Sequence, residues 1–391
     1  MTRVLLGGGA VFDAASGSVS RADVVLVDGR IAEVGPGLDG DTFVDCAGGL
    51  LVPGFVDCHV HVALGGPQTP RGLPRSTRPL SVVPALRTLL DLGITTVRDA
   101  WGADAGLPVA LAEGWFPGPE VLLSLRQVCT TGGIGDHWSP RYGPMDFFAD
   151  PSMPDPVFDG PDAARAVVRR MVRAGADWIK VTASGSVAQG WGVHDVQLTE
   201  AEMRALVDEA DRQGGRGVMV HAHGARAAEL AARAGARSIE HGTFLDDAAV
   251  TALAEAGSWL VPTLSTSQAD PGDPGETAEP HRAAVRRAFE AGVPIAMGTD
   301  APVRPYAEAL REIHYLAEAA LGPAGALRAA TLEAARLLRL ADDRGEIAPG
   351  KRADLVLLTG EGLATERLTE RVHTVWQSGR VVRAGAGRPT G

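Results

Sequence analysis

The stretch Val52-Pro53-Gly54-Phe55-Val56-Asp57-Cys58-His59-Val60-His61 decides how this chain is read. It is a short apolar run with the look of a β-strand, and two imidazoles stand at its C-terminal end. Strand side chains alternate with period 2, so His59 and His61 share one face and can grip a single metal ion together. Imidazole and carboxylate are borderline-to-hard ligands that suit Zn²⁺ and its first-row neighbours.

Lys180, His221, His241 and Asp300 close other apolar runs in the same way. The strand candidates are 55–61, 94–98, 120–126, 177–183, 217–222, 237–241, 258–263 and 294–299. Helical patterns at 162–174, 200–213, 224–234, 246–256, 279–291, 305–320 and 324–339 follow or separate them, and Thr199-x-x-Glu202 reads as a capping box. Eight strands alternating with helices in under 300 residues predict an α/β chain with a (β/α)₈ TIM barrel, whose active site gathers at the strand C-termini. All six candidate residues fall at those ends. Four His, one Asp and one Lys suit a two-metal site, provided that the Lys carries CO₂ as a carbamate and so supplies two oxygens.

The chain ends read differently. Residues 1 to about 54 alternate apolar and polar positions, with Asp28-Gly29 as a hairpin signal between Val24–Val27 and Ile31–Val34. The far end repeats the style in Ala353–Leu358, Val372–Gln377, a Ser378-Gly379 turn and Arg380–Val382. Both ends are expected to be antiparallel β.

Bulk properties exclude several classes of protein. The chain has 391 residues, and 37 Lys+Arg against 48 Asp+Glu give a net charge of −11. That balance argues against nucleic acid or an anionic membrane as partner. No stretch approaches about 18 uninterrupted apolar residues and no N-terminal h-region offers itself, so a soluble, cytoplasmic protein is expected. Cys46, Cys58 and Cys129 are odd in number and lack CxxC spacing, which points to neither a disulfide framework nor a thiolate zinc site. A homo-oligomer is compatible with all of this.

Taken in order, the motifs resemble the amidohydrolase superfamily, in its branch of imidazolonepropionase-related enzymes and metal-dependent Xaa-Pro-type dipeptidases. The resemblance rests on Pro53–His61, Gly93-Ile94-Thr95-Thr96-Val97-Arg98-Asp99, Ile179-Lys180-Val181-Thr182-Ala183-Ser184-Gly185 and His221-Ala222-His223. It continues through Ser238-Ile239-Glu240-His241-Gly242, Gly298-Thr299-Asp300-Ala301 and the tail Gly345–Leu355. It implies that residues 1–54 and 345–391 form one composite β-sandwich beside a 55–344 barrel. It also implies two divalent ions, Zn²⁺ first among the candidates: His59, His61 and Asp300 on one, His221 and His241 on the other, and a Lys180 carbamate between them. A bridging hydroxide would attack the substrate, with Asp300 as catalytic proton shuttle.

Lys180 shares a strand face with Trp178 and Thr182 and points into the barrel, where a Lys is costly unless paired or modified. Burial and nearby cations depress its pKa and make it a nucleophile for CO₂. His221 and His223 also share a face, so spacing alone does not choose between them. The family pattern favours His221 as the ligand and leaves His223 as a catalytic, substrate-facing group.

The long 127–160 segment, with Trp138, Tyr142, Phe147 and Phe148, is expected to roof the pocket. Relatives often carry His directly after the Gly-Gly of Thr131-Gly132-Gly133; here Ile134 stands there and His137 is the nearest imidazole. His137, Arg141 and Tyr142, with His223, are the candidate substrate-binding residues. His281, His314 and His373 are expected on helix or terminal-domain surfaces, His194 in a solvated loop, and Arg98-Asp99 as a buried ion pair. The expected reaction is hydrolysis of a small amide, a dipeptide or N-acyl amino acid. Cyclic amide or imide hydrolysis is the alternative within enzymes, and a non-catalytic binding protein the alternative outside them.

Overall fold

Strands from opposite ends of the chain pair with each other: Leu355–Thr359 runs antiparallel to Gly49–Pro53, with Leu355 opposite Pro53 and Thr359 opposite Gly49. The computed structural model describes residues 2–64, 74, 76–145, 150, 152–187, 192–268 and 275–386. This pair lies at the centre of a six-stranded sheet, flanked by Val372–Gln377 and Arg380–Arg383 on one side and Ala10–Asp13 and Ser18–Arg21 on the other. A second, four-stranded sheet holds Arg30–Gly35, Asp23–Val27, Val4–Gly7 and Thr42–Asp45 in that order. Leu6, Val24 and Ile31 from this sheet and Leu51, Leu355 and Trp376 from the other share one buried apolar cluster.

Both hairpin signals form tight turns. Asp28 and Gly29 sit at φ 48° and 80°, and Ser378 and Gly379 at φ 48° and 74°. Positive φ at both central residues suits the right-handed twist of the strands being joined.

Between the ends the strands are parallel. Phe55–Val60, Ile94–Asp99 and Glu120–Leu123 form one sheet, and Gln127–Val128, Ile179–Thr182, Val218–Gly224, Ser238–Phe244 and Trp259–Val261 form another. The Leu123 carbonyl accepts the N–H groups of Asp177 (2.8 Å) and Trp178 (3.0 Å), which links the two sheets. The predicted 120–126 strand stops at Leu123 because Leu125 turns to φ 65°, and pairing resumes at Gln127.

The predicted 294–299 strand is not a regular strand. Pro294 has no N–H to donate, and the segment makes only the isolated bridges Leu260↔Ile295 and Val60↔Ala301. It still bonds on both sides: Leu260 N–H to Pro294 O at 2.9 Å, and Cys58 N–H to Met297 O at 2.9 Å. Further along, the Thr299 and Asp300 N–H groups reach His59 O at 3.1 and 2.7 Å.

Helices cover the parallel strands. Pro161–Arg173, Glu200–Arg212, Ala225–Arg233, Asp247–Ala256 and Gly275–Glu290 stand where the apolar periodicity predicts them. Thr199 closes its capping box, accepting the Glu202 N–H while Glu202 accepts the Thr199 N–H. Two predicted long helices are broken. The 305–320 region divides into a 3₁₀ turn, Arg311–Leu316 and a π turn, and the 324–339 region into Gly322–Ala329 and Leu332–Leu337. At the second break the Thr331 hydroxyl donates back to Leu327 O at 2.8 Å, competing with the helix ladder. Among the described residues, no helix is long and apolar enough to cross a membrane.

Candidate active site

The parallel strands, the turns that follow them and the end of the 294–299 segment bring the six predicted residues together. His59 and His61 lie with ring centroids 5.4 Å apart, and the Nε2 atoms of the two rings stand 3.3 and 2.9 Å from one Asp300 oxygen. Lys180 Nζ is 3.3 Å from His59 Nε2. His241 bridges to the other side, its ring 5.1 Å from His59 and 4.5 Å from His221. His223 belongs here too, 4.7 Å from His221 and stacked on His241 at 4.8 Å. Among the described residues, two groups of ligand atoms gather within 4.8 Å: His59, His241 and Asp300, and His221, His223 and His241.

Local backbone explains how so many groups converge. Glu240 and His241 are consecutive, and regular alternation would send them to opposite faces. Yet Glu240 Oε2 is 2.7 Å from His59 Nδ1 while the His241 ring also packs on His59. The left-handed φ of 72° at His241 makes this double use of one strand face geometrically feasible. Asp300 also has positive φ, 55°. Such strain at non-glycine residues persists only where the surroundings over-determine it. Gly298 is required by close approach: a Cβ there would lie 2.8 Å from His59 Cβ and 2.4 Å from Val261 Cγ1.

Each ligand-type imidazole has one nitrogen engaged from outside the cluster. His59 Nδ1 meets Glu240, His61 Nδ1 the Trp101 carbonyl at 3.4 Å, and His241 Nδ1 Thr263 Oγ1 at 2.7 Å. His221 is the reverse case, with Nε2 donating to Gly185 O at 3.0 Å and Nδ1 left over. His223 Nδ1 is 2.8 Å from Thr243 Oγ1. Outside partners of this kind select the tautomer and aim the free lone pair, as they do around metal-bound histidines.

Charge states follow from burial. Desolvation drives His221 and His241 well below the ordinary imidazole range, and His223 down to about 3. These rings are therefore neutral and carry lone pairs. Lys180, fully buried, is lowered to about 8 by desolvation despite the opposing pull of Glu240 and Asp300. Burial alone would raise Asp300, but His59 and His61 hold it well below its ordinary value. Glu240 is likewise buried, yet Arg98 and His59 bring it down to about 2. The neutral imidazoles of His221, His223 and His241, an ionised carboxylate and a partly deprotonated amine form a donor set that fits a divalent cation.

Several expectations need correction. Arg98 does not pair with Asp99, because neighbours on a strand face opposite ways. Arg98 instead reaches Glu240 at 3.0 Å and stacks over Trp178, and Asp99 accepts the N–H groups of Val62, Trp101 and Ala103. His281 is not on a surface. It is fully buried, with Nε2 donating to the His241 carbonyl at 3.0 Å and Nδ1 2.8 Å from Ser267 Oγ. His314 and His373 are half-buried.

The roof residues are spread out. His137 stacks on Trp101 at 5.3 Å, and Trp101 stands edge-on to His61 at 6.2 Å. Arg141 lies over the Tyr142 ring on the exposed tip joining Trp138–Ser139 and Gly143–Pro144, with Tyr142 68% exposed. Phe147 and Phe148 lie outside the described residues. His194 is exposed and packs on Phe244 at 4.9 Å.

Sequence reasoning missed the Glu240–Arg98–Ser238 group behind His59. Its only signal was a charged residue inside each of two apolar strands. Ser238 Oγ and Arg98 Nη2 both donate to Glu240 Oε1 while Oε2 meets His59 Nδ1, so both carboxylate oxygens are used.

The chain is similar to known proteins over most of its length. The amidohydrolase family model matches residues 50–383. An ochratoxinase from Aspergillus niger is 30% identical over 379 residues, covering 88% of this chain and 77% of that protein. An imidazolonepropionase from Salinispora arenicola is 30% identical, covering 86% of each chain. In three dimensions the chain resembles a prolidase crystallised with N-methylphosphonate-L-proline, with a TM-score of 0.88, 33% identity and coverage of 98% and 100%. The chain belongs to the amidohydrolase family, and it is a hydrolase of that type.

Proposed function

We propose that the chain is a two-metal amidohydrolase that cleaves a small amide bearing a terminal carboxylate, a dipeptide or N-acyl amino acid. The observation that carries this is the cluster of buried imidazoles around Asp300 and Lys180, each aimed by an outside partner. His59, His61 and Asp300 would hold one divalent cation, and His221 and His241 the other, with Lys180 as a carbamate between them. Zn²⁺ suits these donors best. Such cations supply an acidified water and a polarised scissile carbonyl.

The chain's own residues do the rest. Asp300, within reach of both sides, takes a proton from the attacking water and returns it to the leaving nitrogen. His223, whose Nδ1 is held by Thr243 Oγ1, is assigned to the substrate side of the cluster. His137, Arg141 and Tyr142 belong to the substrate side, where a cation pairing with a carboxylate fixes orientation. In the fold this reading takes the parallel strands and the 294–301 segment as an eight-stranded TIM barrel. The chain ends, residues 1–54 and 345–391, then form a β-sandwich domain. The backbone bonds from Leu123 and around Met297 support closure of the barrel. The apolar cluster shared by the two terminal sheets supports the sandwich.

The phosphonate-proline bound to the related prolidase is itself an amino-acid derivative, which supports a substrate with a free carboxylate. The imidazolonepropionase relative keeps a second reading open, a cyclic amide or imide substrate. A panel of dipeptides, N-acyl amino acids and lactams separates the two. Converting the substrate carboxylate to an amide should cost at least ~10-fold in kcat/KM, since a charged hydrogen bond is worth about 1.5–3 kcal/mol. Activity confined to lactams, or equal rates on acid and amide, would favour the cyclic reading.

A further inference from the structure

Behind the loop that follows Trp259–Val261 sits a buried carboxylate that the chemistry above does not use. Glu312, in the Arg311–Leu316 helix, is fully buried. Its two oxygens accept the N–H groups of Leu264 (2.8 Å) and Ser265 (2.7 Å). These residues open the 3₁₀ turn Leu264–Thr266, where N–H groups have no partner within the turn. Two N–H donors aimed at two oxygens suit the carboxylate form, against the burial that pushes this group up to about 8.

The clamped loop touches the site at two places. Thr263, at φ 55°, presents Oγ1 to His241 Nδ1 at 2.7 Å. Ser265 Oγ donates to the carbonyl of Thr299 at 2.9 Å, directly before Asp300. Thr263, His241 and Asp300 all hold left-handed backbone, a strain that neighbouring contacts must offset. The loop that Glu312 anchors contains Thr263, bonds the His241 ring and holds the carbonyl of the residue before Asp300.

We propose that Glu312 is a positioning residue: through the Leu264 and Ser265 backbone it sets His241 and Asp300, one from each half of the site, at a fixed separation. The inference rests on the two-metal reading, because its benefit is a preset distance between the ligands of two cations. It assigns Glu312 no contact with substrate or metal.

Glu312→Ala would leave two buried N–H groups without an acceptor, so the test uses Glu312→Gln, which keeps the shape and one acceptor oxygen. Metal release from the holoenzyme to a chromophoric chelator is followed together with kcat and KM. The control is Glu209→Gln, which removes another buried carboxylate, one bonded to Arg169 at 2.7 Å and Gln213 at 2.9 Å, far along the chain from the clamped loop. Glu312→Gln should release metal at least ~10-fold faster and lower kcat by a similar factor with KM within about threefold, the scale seen when outside partners of ligands are lost. Glu209→Gln should lower Tm and leave release and kcat unchanged.

If Glu312→Gln does not fold, the double variant Thr263→Val/Ser265→Ala cuts both outer contacts and carries the same expectation. Wild-type-like release in whichever variant folds overturns the inference, while the two-metal reading stands. A wild-type chain with no releasable metal overturns that reading, and the inference with it.

Discussion

The two halves of the imidazole cluster are held by different chemistry. Around His59 and His61 the partners are ionic: Asp300 lies between their Nε2 atoms, and Glu240, backed by Arg98, holds His59 from behind. Around His221, His223 and His241 they are neutral: the Gly185 carbonyl and the hydroxyls of Thr243 and Thr263. A dication placed on the first half meets an anionic ligand. On the second its own three rings offer only neutral lone pairs in a desolvated setting, and Asp300, shared with the first half, is the one carboxylate grouped with His241. Lys180, reaching His59 at 3.3 Å, is the group placed to correct this imbalance if CO₂ converts it from a cation to an anion.

Removing charge from the ionic half should have the largest effect. Asp300→Asn keeps the shape but loses the proton-accepting carboxylate, so kcat should fall by ~10²-fold or more, the scale of general acid–base contributions. Steady-state turnover near the wild-type value would remove Asp300 from that role.

Lys180→Ala tests the neutral half. If Lys180 carries a carbamate between two cations, its loss should drop metal content from about two ions per chain to about one, since repulsion between cations is no longer offset. Short carboxylates or bicarbonate should restore part of the lost activity. Undiminished loading measured by plasma mass spectrometry would show that the neutral half needs no anion.

A smaller effect is expected behind His59. Glu240→Gln removes charge while leaving a hydrogen-bonding group, so metal affinity should weaken by about 10–100-fold, the range for carboxylates that back a ligating His. The same competition assay should show the weakening confined to one of the two ions. Equal weakening of both would mean that the halves are not separable in the way their partners suggest.

How far the sequence foretells this site depends on the range of the contact. His59 and His61 are legible because period-2 alternation is a local property. The turns at Asp28-Gly29 and Ser378-Gly379 are legible for the same reason, since two residues decide them. His241 and Asp300 are recognisable as ligand types, but not the left-handed backbone that aims them, which tertiary contacts impose. Glu240 was hidden because its partner His59 is 181 residues away, and Glu312 because Leu264 and Ser265 are 48 and 47 residues away. His281 looked like a surface residue of an amphipathic helix, and only packing against the His241 carbonyl shows why it is buried. The 294–299 segment misled in another way. Its apolar pattern is that of a strand, while Pro294 and the close approach at Gly298 limit it to isolated bridges.

The most direct test of the account is the metal content of the purified, active protein, read against turnover as a chelator removes it. About two divalent ions per chain, with activity lost as they leave, is the predicted result for a site with this many donors and room for water. A preparation that stays fully active with no metal would contradict the account at its centre.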